Sequence, residues 1–318
     1  MRERLRRALE AWVAAPGPAA FLAACRELRS VLLPADCVVC GEPDESLCAG
    51  CALAVRHATL RPFDASAGAG MLPRAENRAG TGNGSGLLTP APEEEKPLSV
   101  IAAGRYGGGL SRVLLACKNH GHTDLTGILA EAMARALHEA KRSAQVPGRL
   151  AVVPVPGSFR SRTRRGYDPL QLILAKVGHR GLLPADTGIA RILSYRPGAE
   201  AAGLVAAGRG TQKGLGAGAR RRNVHGSMTA GGPGTLRGTS VLVADDVLTT
   251  GATLAEAVRA LRAAGAEVVS AAVIAAVRAP APGAEPSAGV RPVPACGTGG
   301  GSMANEQRPR SEVNKAPG

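Results

Sequence analysis

The stretch from Val241 to Leu254, VLVADDVLTTGATL, decides how the rest of this chain is read. It leaves an apolar strand, sets Asp245 and Asp246 side by side, and then spends Thr249, Thr250, Gly251, Ala252 and Thr253 on a turn. In open parallel sheets, ligands bind beyond the carboxyl ends of the strands. The threonine run offers consecutive backbone N–H groups, hydroxyls, a glycine that relaxes the turn, and the positive end of a helix beginning near Thr253. Those parts make a phosphate cup. Adjacent carboxylates repel phosphate but suit sugar hydroxyls or a hydrated Mg²⁺. A sugar carrying a phosphate at one end satisfies both halves. Helix-cap chemistry accounts for a single Asp or Thr, not for the whole string.

Outward from this loop, strands and helices alternate. LSVIAAG (98–104), LAVVPVP (150–156), ARILSY (190–195), VLVAD (241–245) and EVVSAAVIAAV (267–277) read as strands. LSRVLLACKNH (110–120), LTGILAEAMARALHEA (125–140), DPLQLILAKVG (168–178) and TLAEAVRALRAAG (253–265) read as helices, the last closed by Gly265. Such alternation predicts an α/β domain over 98–278, a mostly parallel sheet with helices on both faces. Residues 1–36 read as a helical segment and 37–60 as a cysteine module. The stretches 61–97 and 279–318 are rich in Gly, Pro and polar residues and are expected to be a flexible linker and a disordered tail.

The chain has 318 residues, 2% aromatics and a formal net charge of +14. That charge points to polyanions, whether nucleic acid or small phosphorylated ligands, although an Arg-rich composition produces the same balance. No apolar run is long enough to span a membrane. The basic start, MRERLRRALEAWVAA, is interrupted by Glu10 and reads as an amphipathic helix rather than a signal peptide, so a cytoplasmic protein is expected.

Four of the seven cysteines sit together in CVVCGEPDESLCAGC. Cys37 and Cys40, then seven residues, then Cys48 and Cys51 form two C-x₂-C pairs. On a short hairpin these present four thiolates tetrahedrally to one Zn²⁺, a structural site with no open coordination position. Redox thiols are the alternative.

VLVADDVLTTGAT resembles the signature of the type I phosphoribosyltransferases, which use phosphoribosyl pyrophosphate (PRPP). The cysteine module, RYGGGLSRVLLACKNHG, VVPVPGSFRSRTRRGY and TQKGLGAGARRRNVHGSM are similar to segments of the ComF family, associated with competence in bacteria. The resemblance covers about residues 30–60 and 98–278. It implies a type I phosphoribosyltransferase fold preceded by a small zinc ribbon. By position, it implies that Asp245 and Asp246 contact the ribose hydroxyls and that Thr249, Thr250, Gly251, Ala252 and Thr253 wrap the 5′-phosphate. Pro156, Gly157 and Ser158 take the place of the pyrophosphate loop, and 196–225 that of a flexible hood, with Lys213, Arg220 and Arg222 as its anion contacts. The basic run from Arg160 to Arg165 meets pyrophosphate or a nucleic acid, or is a solvated face. Lys118 fits a family lysine; Tyr167 and Asp168 stand where the family commonly has a Phe-Asn pair.

Two functions follow from the resemblance. One is a Mg²⁺-dependent enzyme that transfers the phosphoribosyl group from PRPP to an unidentified nitrogenous acceptor and releases pyrophosphate. The other is a non-catalytic PRPP- or nucleotide-binding protein, or a competence factor associated with single-stranded DNA or competence proteins. Homodimerisation is open under either.

Overall fold

The computed structural model describes residues 36–75, 96–119, 121–146, 148–157, 166–196 and 225–277. Among them, a six-stranded sheet has the order β1 (Phe63–Asp64), β2 (Val100–Arg105), β8 (Glu267–Ala276), β7 (Ser240–Leu248), β3 (Leu150–Pro154) and β4 (Thr187–Ile189). Only β1 is antiparallel to its neighbour; the other pairings are parallel. The central strands are runs of Val, Ile, Leu and Ala because both of their faces are covered. A separate antiparallel pair joins β5 (Ser194–Tyr195) to β6 (Met228–Thr229).

Period-two alternation in the strands feeds two cores. On one face, Ile101, Ala103, Val152, Leu242 and Ile274 pack with α1 (Ala49–Ala58), α2 (Gly108–Asn119), α3 (Thr126–Ala144) and α4 (Pro169–His179). On the other, Val100, Ala102, Val153, Val241, Val243 and Val273 pack with α5 (Ala252–Ala263) and with irregular segments carrying Leu193 and Met228.

This division positions the site. Strands β3 and β7 are adjacent, yet the helix after β3 covers one face and the helix after β7 covers the other. Adjacent strands whose helices depart to opposite faces leave a crevice at their carboxyl ends. The ladder shows the parting: β3 pairs with β7 only as far as Pro154↔Ala244, while β7 stays paired with β8 to Leu248↔Ala276.

Three differences from the sequence reading are structural. Strand β7 does not stop at Asp245 but continues to Leu248, because β8 holds it after β3 has left. Of the expected strand 190–195 only Ser194 and Tyr195 form one, β5; the neighbouring β4 ends at Ile189 and belongs to a different sheet. The residues from Phe63 to Ala75, read as the beginning of a linker, are packed: β1 pairs with β2, and Ala65 and Ala69 are buried. The chain leaves this packing at Ala75 and returns at Lys96, whose carbonyl accepts from Ala75 N at 2.9 Å. The helical reading of 1–36 lies outside the described residues except for Asp36, and the tail of 279–318 lies outside them entirely.

The cysteine module joins the first core rather than standing apart from it. Val39 and Val55 pack in one cluster with Leu110 and Val113 of α2, and Arg112 donates to the Val39 carbonyl. Arg56 of α1 reaches Glu131 of α3 at 3.0 Å.

Candidate functional site at the parting of β3 and β7

Asp245 and Asp246 sit on β7 just past the point where β3 turns away. Asp246 Oδ2 lies 2.7 Å from Lys118 Nζ, delivered from the last turn of α2. Asp245 Oδ1 accepts the Asp246 N–H at 2.8 Å. Asp245 keeps some solvent contact, yet protein surrounds it closely enough that burial dominates its protonation. Burial, with the Asp246 charge second and Asp168 adding to it, outweighs the Asp246 N–H and Lys118 and pushes the Asp245 carboxyl up to about 8. Without a ligand, this crevice accommodates one full carboxylate charge more easily than two.

The threonine loop follows. Thr249 is exposed, Thr250 half-buried and Gly251 buried. Gly251 has φ +85° and is the N-cap of α5, so the first N–H groups of that helix face the loop. A Cβ at Gly251 would come within 2.9 Å of Leu72 Cδ2 and 3.3 Å of Leu72 N, so only glycine fits. Met71 N donates to the Thr250 carbonyl at 3.1 Å. The segment taken for linker is thus the outer wall of the threonine loop. No local signal in 69–72 announces this.

Pro156 and Gly157 leave β3 toward the same crevice; Ser158 lies outside the described residues. Gly157 N donates to Asp168 Oδ2 at 3.0 Å. Asp168 is also the N-cap of α4, its Oδ1 accepting from Leu170 N at 3.1 Å and Gln171 N at 3.4 Å, with Pro169 following as a natural first helical residue. Tyr167 donates its hydroxyl to the Cys117 carbonyl at 2.7 Å, pinning this corner beside Lys118. The sequence singled out Tyr167 and Asp168 only as departures from a family pattern; the structure places them against the site.

Lys213, Arg220 and Arg222, and the run from Arg160 to Arg165, lie outside the described residues. The base on which 197–224 departs and returns is described. The pair β5–β6 closes it, and Arg196 N donates to the Ser227 carbonyl at 2.8 Å. Glu256 of α5, 3% exposed, accepts from Gly226 N at 2.9 Å, Met228 N at 2.8 Å and Arg259 Nε at 2.8 Å. Burial alone raises the Glu256 carboxyl, but the Arg259 donors and these two N–H groups outweigh it and hold it below its ordinary value. Sequence reasoning took Glu256 and Arg259 only as part of a helical pattern. Their spacing of three along that helix was the available signal.

The four cysteines converge. The Sγ atoms of Cys37, Cys40, Cys48 and Cys51 all lie within 4.8 Å of one another, and Cys40 and Cys48 are 3.6 Å apart. Tetrahedral Zn–S bonds of about 2.3 Å place sulfurs about 3.8 Å apart, so this donor set fits zinc. The module is built differently from a two-stranded hairpin. Cys37 and Cys40 flank a turn closed by Gly41 N to the Cys37 carbonyl at 2.8 Å, and Cys48 caps α1, which carries Cys51. Burial of Cys37 raises its thiol, but backbone N–H groups of Cys40, Cys48 and Val39 outweigh it and bring it down to about 6. At Cys51, burial and the neighbouring sulfurs push the thiol well up. Cysteines crowded in this way lose all their protons only to a cation.

With this geometry in view, the comparisons with known proteins carry weight. A family model described as the phosphoribosyl transferase domain matches residues 207–294, the stretch that holds β7, the threonine loop, α5 and β8. The match supports placing the domain in the type I phosphoribosyltransferase superfamily. The mixed, mostly parallel sheet with helices is compatible with such a domain. No curated protein matches the chain. Among the described residues, no helix is long and apolar enough to cross a membrane.

Proposed function

We propose that this protein is a Mg²⁺-dependent phosphoribosyltransferase of the ComF type, moving the phosphoribosyl group of PRPP to a nitrogenous acceptor. The observation that carries the reading is the crevice itself. Two carboxylates, a lysine, a threonine cup on a helix N-terminus and a glycine loop come from three chain segments to one parting of strands.

In this reading Thr249 to Thr253 hold the 5′-phosphate with the N–H groups that open α5. Asp245 and Asp246 accept the ribose hydroxyls, and Lys118 holds Asp246 in place. Pro156 and Gly157, with Ser158 beyond them, take the pyrophosphate. Asp245, Asp246 and the bound diphosphate would hold Mg²⁺, which neutralises the charge of the leaving group. The acceptor nitrogen forms its bond to the anomeric carbon as the bond to pyrophosphate breaks. The electron pair leaves with pyrophosphate, and the proton that the acceptor nitrogen gives up passes to the departing pyrophosphate or to water. The crevice carboxylates favour the positive charge that builds on the ring. Lys213, Arg220 and Arg222, which lie outside the described residues, would by the family resemblance contact the anion from a hood that excludes water. The four cysteines hold a structural zinc that braces α2 through Val39 and Arg112.

Calorimetric titration of Mg²⁺-PRPP into the zinc-loaded protein tests the reading. The expected outcome is micromolar binding, weakened at least about 100-fold (~2.7 kcal/mol) in an Asp245→Asn/Asp246→Asn double variant. Pyrophosphate release in a screen of amine and nucleobase acceptors would follow. Binding without turnover would make the protein a PRPP sensor, and no binding by the folded wild type would reject the reading.

A further inference from the structure

Asp168 does two jobs with two oxygens. Its Oδ1 alone caps α4, accepting from Leu170 N and Gln171 N. That satisfies the cap. Its Oδ2 is left over, and it takes the Gly157 N–H at 3.0 Å. The approach is close enough that a Cβ on Gly157 would lie 2.7 Å from Oδ2 and 3.2 Å from Cγ. A side chain at position 157 would push this carboxylate from its place. The carboxylate cannot swing away freely, because Tyr167 is tied to the Cys117 carbonyl on one side and α4 begins on the other.

A backbone N–H that meets a carboxylate oxygen at this distance is already satisfied by an anion. In the reading proposed above, on which this inference rests, the same N–H belongs to the loop that receives the diphosphate. Here a third carboxylate joins Asp245 and Asp246, near enough for its charge to be felt at Asp245.

We propose that Asp168 is a resident anion of the pyrophosphate loop: a positioning residue whose carboxylate occupies the Gly157 N–H until a diphosphate displaces it. PRPP meets that cost with contacts at its 5′-phosphate and ribose as well. Free pyrophosphate, the leaving product, has only the loop. The displacement costs both ligands alike, but it leaves the product, with fewer contacts, weakly held and quick to depart.

The test is isothermal titration of inorganic pyrophosphate with Mg²⁺, and separately of Mg²⁺-PRPP, into wild type, Asp168→Asn and Asp168→Ser. Both replacements remain good N-caps, and a thermal melt reports whether α4 is intact. Asn keeps its oxygen on Leu170 and Gln171 and turns its amide toward Gly157, which frees that N–H; Ser is too short to reach it. The expected result is binding about tenfold tighter in both variants, for pyrophosphate and for PRPP alike. Unchanged or weaker pyrophosphate binding in either folded variant, beside normal PRPP binding by wild type, makes Asp168 a helix cap only and overturns the proposal while leaving the site reading intact. Failure of wild type to bind PRPP overturns both.

Discussion

The thiol cluster and the carboxylate crevice are two crowded sets of acidic groups built by opposite means. The thiols all come from one short run, Cys37 to Cys51, and a turn and a helix start suffice to gather them. The crevice takes Lys118 from α2, Gly157 from the end of β3, Asp168 from the cap of α4, and Asp245 and Asp246 from β7. Their ways of balancing charge differ as well. At the thiols, Cys37 ionises readily while Cys51 is pushed well up, so the set calls for an external cation. In the crevice, Lys118 already stands against Asp246, and Asp245 is left to stay protonated or to meet a ligand. A cluster gathered locally is complete once its metal arrives; one gathered from afar depends on every element that delivers a part.

Breaking the thiol cluster has the largest expected effect. In Cys51→Ser, zinc content by metal analysis falls from one per chain toward none, and the melting temperature drops on the order of ten degrees. Cys51 and Val55 are core residues shared with α2, so PRPP binding weakens too, through the helix that carries Lys118. Unchanged stability on zinc loss would separate the module from the domain and break the comparison.

Gly251→Ala is a smaller lesion on the other side. The positive φ and the contact with Leu72 together cost roughly 2 kcal/mol, read as a lower midpoint in urea. Shortening the neighbour in Gly251→Ala/Leu72→Ala relieves the collision but not the backbone strain, so part of the loss returns. No recovery would mean that the loop and the 69–72 wall are not in contact.

The smallest effect concerns Asp245 and has a definite sign. Its folded carboxyl is raised to about 8, against about 3.9 when unfolded. The stability it lends is therefore fully present below about pH 4 and is lost as pH climbs toward 8. Unscreened, the shift is worth several kcal/mol, but Asp245 keeps solvent contact that screens much of it. Relative to wild type, Asp245→Asn should therefore gain on the order of 1 kcal/mol between pH 5 and pH 8 and then level off. A constant difference across that range would mean that Asp245 is an ordinary surface carboxylate and that the crevice stores no electrostatic cost.

Much was legible before any fold was drawn. The C-x₂-C pairs, the hydrophobic strand running into DD and TTGAT, and the alternation of strands with helices are local patterns. Their meaning is fixed by covalent geometry, side-chain period and ligand spacing. The sequence by itself therefore determined the class of fold, the gathering of the four thiols and the threonine turn between a strand and a helix. It also raised Lys118 and Asp168 as positions of interest. What each of those two touches was decided only by tertiary structure, as was the role of Leu72 behind Gly251. The reason is that each contact depends on which face of the sheet a helix takes and how far neighbouring strands stay paired. Periodicity says that an element has an apolar face, but only packing against the rest of the chain says which partner that face will find.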